Sequence, residues 1–322
     1  EWTEGSAVHE GGVFILRSSG GSWTNTMFRR MYISGRSLEP FMPLNSRFGH
    51  AVAVLGDVDG NGVQDIAVTS YRPEPLTLTG PQDKSGLYVI LLDGEYEVLS
   101  WTHRYEFRGI SGTNGNSGEL GAAMIATGDL TGDGVPDVAI TDTFWDKFSS
   151  RSDDTRFRRE WALCIVSLTE LGTVAGHPST GCQQGPAPTS HHMGCGMTNT
   201  DDLDGDGYAD AVVSGCPTLN NTGWTGDHSV LSAVYLGSAA SIRFGGGILL
   251  SEYMRPQPGT RTYHALTFLG DVDGDGTPDL LMARESTAST ESVKTLDLLR
   301  LSLLPDGSAL AAPPALLSPP HG

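Results

Sequence analysis

The sequence predicts an all-β chain whose short strands gather into the four-stranded radial blades of a β-propeller. Three observations carry that prediction. One acidic, glycine-rich segment recurs four times at nearly constant spacing, apolar runs of strand length flank every copy, and helical periodicity is almost absent. The copies are GDVDGNGVQDIAVTS, GDLTGDGVPDVAITD, DDLDGDGYADAVVSG and GDVDGDGTPDLLMAR, and their leading aspartates, Asp57, Asp129, Asp202 and Asp271, stand 72, 73 and 69 residues apart. A repeat of that size is one supersecondary unit that cannot bury its apolar faces alone, so copies stack on their neighbours.

Each repeat reads as four strands in order. The first precedes the acidic loop: Ala51–Leu55, Ala123–Thr127, Gly196–Thr200 and Ala265–Leu269. The second follows it, as at Ile66–Thr69, so two strands flank each loop. The third is a β-rich stretch at Leu87–Leu92, Ala162–Leu168, Val230–Leu236 and Leu296–Leu303, and a fourth is clearest at Val98–Phe107. Four strands per repeat is the content of one blade. The expected blades cover residues 46–117, 118–190, 191–260 and 261–312, with 313–322 a proline-rich tail or linker.

Composition narrows the function. Thirty-eight acidic residues against 20 basic ones give a formal charge of −18, which repels polyanions and argues against nucleic acid as a partner. No apolar run exceeds six residues, as at Leu87–Leu92, so no helical membrane span is expected. The chain starts at Glu1 without an initiator Met or an apolar signal segment, which is expected of a processed form or a piece of a longer protein.

The acidic loops carry the chemistry. In the first, Asp57, Asp59, Asn61 and Asp65 occupy positions one, three, five and nine, with the Val63 carbonyl at seven, so five oxygen groups can converge on one hard cation. The corresponding sets are Asp129, Thr131, Asp133, Val135 and Asp137; Asp202, Asp204, Asp206, Tyr208 and Asp210; and Asp271, Asp273, Asp275, Thr277 and Asp279. Thr131 replaces a carboxylate, so the second loop is expected to bind more weakly. An EF-hand needs a glutamate at position twelve, where Val68, Ile140, Val213 and Met282 stand instead. A five-ligand protein cage suits Ca²⁺ better than Mg²⁺, which keeps its waters. The loops hold fourteen carboxylates, and four Ca²⁺ ions would bring the formal charge to about −10.

The units resemble FG-GAP repeats, the integrin α-type or VCBS-like repeats that build calcium-binding β-propellers. The name-giving Phe-Gly stands as Phe48-Gly49, weakens to Leu120-Gly121 and Met193-Gly194, and is lost at Thr262-Tyr263, while Gly-Ala-Pro survives only as Gly215-Cys216-Pro217. The N-terminal Gly11–Leu16 and Phe28–Ile33 resemble the third and fourth strands of such a repeat with no first hairpin before them, a half blade within residues 1–45. Four repeats and a half do not make a whole number of blades, so further blades outside this segment are expected, for example in a seven-bladed ring. The resemblance implies a secreted or cell-surface, calcium-stabilised module for adhesion, recognising a protein or glycan through loops on one face. An alternative is a structural component of an extracellular assembly, such as a cell wall, matrix or surface filament. A third is a propeller-type glycan lyase or phospholipase-associated domain.

Remaining features fit an extracellular protein. Four cysteines allow three pairings, of which 164–182 with 195–216 is favoured because Cys195 and Cys216 flank the third loop symmetrically. Asn220-Asn221-Thr222 is a glycosylation sequon. The histidines show no zinc spacing, and no Gly-x-Ser-x-Gly or phosphate-binding loop occurs, so no enzymatic activity is expected. Arg151–Glu160 reads as a solvated insertion, and the six tryptophans read as blade core rather than sugar platforms.

Overall fold

The structure, a computed structural model, describes residues 11–18, 28–38, 47–70, 86–104, 120–146, 159–175, 182–185, 193–215, 219–220, 223–224, 230–249, 260–272, 274, 278–286, 295–302 and 315–317. Strands β1 (Gly12–Ser18) and β2 (Phe28–Ser34) form an antiparallel pair followed by one helical turn, α1 (Gly35–Leu38). Blade A comprises β3 (Phe48–Gly56), β4 (Asp65–Ser70), β5 (Gly86–Leu92) and β6 (Val98–Arg104). Blade B comprises β7 (Leu120–Gly128), β8 (Asp137–Asp146), β9 (Arg159–Val166) and β10 (Cys182–Gln184). In blade C, a small separate hairpin of β13 (Leu219–Asn220) and β14 (Gly223–Trp224) interrupts the sheet made by β11 (Met193–Asn199), β12 (Ala211–Gly215), β15 (Val230–Gly237) and β16 (Ser241–Leu249). Blade D comprises β17 (Thr260–Gly270), β18 (Asp279–Ser286), β19 (Thr295–Ser302) and β20 (Ala315–Leu317).

The predicted order of elements therefore stands: four antiparallel four-stranded sheets follow a two-stranded one. The sheets remain open, and among the described residues the β1–β2 pair does not join blade D. Three details differ from the sequence reading. Ala315–Leu317 pairs with Leu298–Arg300 as the outer strand of blade D, inside the segment read as a proline-rich tail or linker, because a short apolar run between proline pairs can still complete an edge. Strand β9 begins at Arg159, inside the expected insertion, and ends at Val166, with Leu168 held by an isolated bridge to Val174. The β13–β14 hairpin, which carries the sequon asparagine Asn220, had no sequence signal strong enough to predict it.

Middle strands lie buried on both faces, which is why they read as unbroken apolar runs rather than alternating ones: every residue of β4, β5 and β12 is buried. The core accordingly sits between blades. One cluster joins the half blade to blade A through Val13, Ile33, Phe48, Val68 and Tyr88. A second joins A to B through Leu55, Ala67, Val89, Met124 and Ile140, and a third joins B to C through Ile125, Leu163, Trp161, Val213 and Val234. Trp161 is core as expected, with its ring 5.1 Å from that of Phe244. Trp101 is half-buried near Tyr88. Trp2 and Trp23 lie outside the described residues.

A threonine links successive blades. Thr69 Oγ accepts the Ala51 amide of its own blade at 3.0 Å and donates to the Gly121 carbonyl of the next at 3.0 Å. Thr141 repeats the device with Ala123 at 3.0 Å and Gly194 at 2.6 Å. These glycines are those of the Phe-Gly signature. Gly121 has φ of 95°, and a Cβ there would lie 3.0 Å from the Thr69 Cβ, so the motif marks where one blade's inner strand abuts its neighbour.

Cys164 and Cys182 form a disulfide across directly paired positions of β9 and β10, as favoured from sequence. Cys195 is also disulfide-bonded, and its expected partner, Cys216, lies outside the described residues.

Candidate metal sites in the acidic loops

Each acidic loop bridges the first and second strands of a blade, and its last aspartate opens the second strand in blades A, B and D and immediately precedes it in blade C. That aspartate is withdrawn from water in all four blades: Asp65, Asp137 and Asp279 are fully buried and Asp210 is 1% exposed. Burying a carboxylate is costly unless its oxygens are satisfied. In the first loop Asp65 Oδ2 accepts the Val58 amide and Oδ1 the Leu92 amide of β5, both at 2.8 Å. In the third, Asp210 accepts from Leu203 at 2.7 Å and from Leu236 of β15 at 2.8 Å. Two backbone amides thus fasten the loop and the third strand to one carboxylate. Spacing along the chain gave no sign of the partners Leu92 and Leu236, since only sheet register brings them there.

The leading aspartate is held differently. Asp57 Oδ2 accepts the Gly62 amide at 2.7 Å. Asp129 accepts Gly132, Asp133 and Gly134 at 2.6, 3.0 and 2.8 Å, and Asp202 accepts Gly205, Asp206 and Gly207 at 2.7, 3.1 and 2.8 Å. The second glycine of each turn, Gly62, Gly134 and Gly207, has φ between 86° and 94°, which presents its amide inward at no cost to a side chain. The position-five residues close the turn on themselves, with Asn61, Asp133 and Asp206 accepting the amides of Val63, Val135 and Tyr208 at 2.8, 3.0 and 3.0 Å.

These environments split the carboxylates electrostatically. The Gly134 amide, foremost, holds Asp129 below its ordinary range, and Gly207 does the same for Asp202. Burial pushes Asp65 and Asp137 up, against the amides that bond them, and pushes Asp210 up to about 6.

Among the described residues, two triads bring one oxygen of each carboxylate within 4.8 Å of the others: Asp57, Asp59 and Asp65, and Asp202, Asp204 and Asp210. The second loop makes no such triad, consistent with Thr131 in place of an aspartate. It instead contains a buried carboxylate oxygen, Asp137 Oδ1, without a hydrogen-bond partner, while Oδ2 accepts Leu130 and Thr131 at 2.8 and 2.9 Å. A buried anionic oxygen of this kind is a group that an ordered water or a cation can satisfy. The donor set, hard oxygens on tight glycine turns, fits a divalent ion of the calcium class. In the fourth loop Asp271 accepts Gly274 at 2.8 Å and Asp279 accepts Val272 at 3.0 Å, the same framework, while Asp273, Asp275 and Thr277 lie outside the described residues.

One basic residue that sequence reading did not single out reaches this chemistry. Arg243 of β16 bonds Asp204 Oδ2 at 2.6 Å, and its guanidinium lies 4.1 Å from the centre of the Tyr235 ring.

No family model matches the chain. Over 109 residues, 34% of its length, it is 29% identical to integrin alpha-PS2 of Drosophila melanogaster, and the matched stretch is 7% of that protein. The similarity is therefore to a small part of an integrin α chain.

Proposed function

We propose that the chain is a calcium-stabilised β-propeller module of an extracellular or cell-surface protein, working by recognition of a protein or glycan rather than by catalysis. The observation that carries the calcium reading is the repeated cage: converging carboxylates on glycine turns, with the last aspartate buried in every blade and one of its oxygens orphaned in the second loop. Asp57, Asp59, Asn61 and Asp65 would hold one ion and Asp202, Asp204, Asp206 and Asp210 another, with the carbonyls of Val63 and Tyr208 as further oxygens. The ion would neutralise mutually repelling carboxylates and so fasten the first two strands of each blade.

The extracellular placement draws on the disulfide and on the partial similarity to integrin alpha-PS2. Ligand binding through loops on one face is what the resemblance of the repeats to the integrin α type implies. A metal bound only by the folded state adds its binding free energy to stability. At millimolar calcium the chain is expected to melt at least several degrees above its temperature in excess chelator, read by circular dichroism. Identical melting curves would remove the calcium reading. A glycan array and a panel of extracellular matrix proteins, probed in calcium, then test recognition.

A second reading, a structural part of an extracellular assembly, is favoured by the uncovered apolar side of the half blade. Phe14, Leu16 and Tyr32 are all more than half exposed there, and the Phe14 and Tyr32 rings lie 4.7 Å apart.

A further inference from the structure

We infer that Arg243 is a built-in counter-cation of the third acidic loop, one that stands in for part of the ion's charge when the loop is empty and lowers the loop's affinity for calcium. The inference rests on the calcium reading above. It cancels the ranking that carboxylate number alone suggests, in which the third loop, with four, would bind more tightly than the first, with three.

Sheet register carries the argument. Leu92 in blade A and Leu236 in blade C do the same task, giving their amides to the buried aspartate of the loop. One residue earlier on the third strand stand Leu91 and Tyr235, and these pair with Ser100 and Arg243 on the fourth. In blade B the corresponding residues are Ser167 and Ala175, joined by the Ala175 amide donating to the Ser167 carbonyl at 2.8 Å. The position beside the loop is therefore Ser100, Ala175 and Arg243 in successive blades, and among these three it carries a positive charge beside the loop with four carboxylates.

The surroundings hold the arginine at that place. Its guanidinium lies against the Tyr235 ring at 4.1 Å, which orients a flat cation at little entropic cost, and it donates to Asp204 Oδ2 at 2.6 Å. In blade A the corresponding support is neutral: Asn61 Nδ2 donates to Asp59 at 3.1 Å and to the Leu92 carbonyl at 2.8 Å. With Arg243 counted, the third loop has the same net charge as the first. Calcium entering it must either take Asp204 from the guanidinium or bind beside a fixed positive charge, and both weaken binding. The Arg243 side chain is 64% exposed, so solvent moderates the effect.

The test uses the whole chain and terbium as the reporting ion. Tyr208 is the aromatic residue within the four loops, so terbium luminescence excited through tyrosine and lost in Tyr208→Phe reports the third loop, and calcium displaces it. In Arg243→Gln the calcium midpoint of that loop is expected to fall by about three- to tenfold at low ionic strength, the gap narrowing at high salt. Arg243→Lys, which keeps the charge, is expected to stay within about twofold of the parent. The midpoint of the first loop, followed by calorimetry, is expected to be unchanged. A midpoint in Arg243→Gln that is unaltered or higher, with calcium still bound elsewhere, overturns the inference alone and makes Arg243 an orienting residue for Asp204. Absence of calcium binding at every loop overturns the inference together with the reading beneath it.

Discussion

Asp210 shows how one residue can tie a candidate cation site to folding. Burial raises its carboxyl to about 6 from an ordinary 3.8, while the Leu203 and Leu236 amides oppose that shift. A folded-state value above the unfolded one means the ion-free fold holds the proton more tightly. The stabilising contribution of this group is complete below about 3.8 and is lost as pH rises through about 6. The proposed calcium ion would require the ionised form, so proton and ion would compete. Calcium affinity at the third loop is expected to be about tenfold lower at pH 5 than at pH 7, read by terbium displacement. A flat profile between these values would contradict the burial argument. Asp65 and Asp137 shift in the same direction, so the first and second loops are expected to lose calcium on acidification too.

At the scale of the element, the inner hairpins of blades A and B share two sequence features whose purposes only contacts reveal. Where the register shifts after the Phe-Gly position, the Ala51 and Ala123 amides are received by the side chains of Thr69 and Thr141 on the adjacent strand, which donate in turn to the next blade. The equivalent residue is Ser214 in blade C, which donates to its own blade's Gly196 carbonyl at 3.4 Å, and Ala283 in blade D, where the Phe-Gly signature is also lost. Thr141→Val keeps the shape but removes the hydroxyl, leaving a buried amide and a buried carbonyl unpaired. It is expected to cost about 1–3 kcal/mol, seen as a lower urea midpoint with an unchanged slope. Ordinary stability in that variant would show that the hydroxyl bridge is incidental. Further out, the Thr169–Gly172 turn of blade B reaches back onto blade A, where Thr102 donates to the Gly172 carbonyl and Gly172 packs on Val89. Blade stacking is therefore polar as well as apolar.

For the whole molecule, the cores lie between blades, so each blade depends on a neighbour, and an end blade with one neighbour leaves apolar surface uncovered. The half blade covers Ile66, Val68 and Tyr88 but leaves Val52 and Val54 of the inner strand β3 exposed at 45% and 55%. On the opposite side of the half blade lie Phe14, Leu16 and Tyr32. That amount of exposed apolar surface favours association. The chain is expected to show concentration-dependent association in sedimentation velocity, reduced in Phe14→Ser/Leu16→Ser without loss of the calcium-dependent melting shift. A monomer at all concentrations would count against the assembly reading.

The amino-acid sequence by itself determined the repeat, the four-strand order and the loop positions, and it favoured the Cys164–Cys182 disulfide that the structure contains. These follow from local signals: period, apolar run length, and Asp and Gly at fixed offsets. Tertiary structure alone decided what the sheets bring together from afar. It placed the Leu92 and Leu236 amides on buried aspartates, orphaned Asp137 Oδ1, made Ala315–Leu317 an edge strand and set Arg243 on Asp204. The physical reason is register. Which residues oppose one another across strands depends on bulges and on the lengths of intervening loops, and neither leaves a periodic mark in the chain.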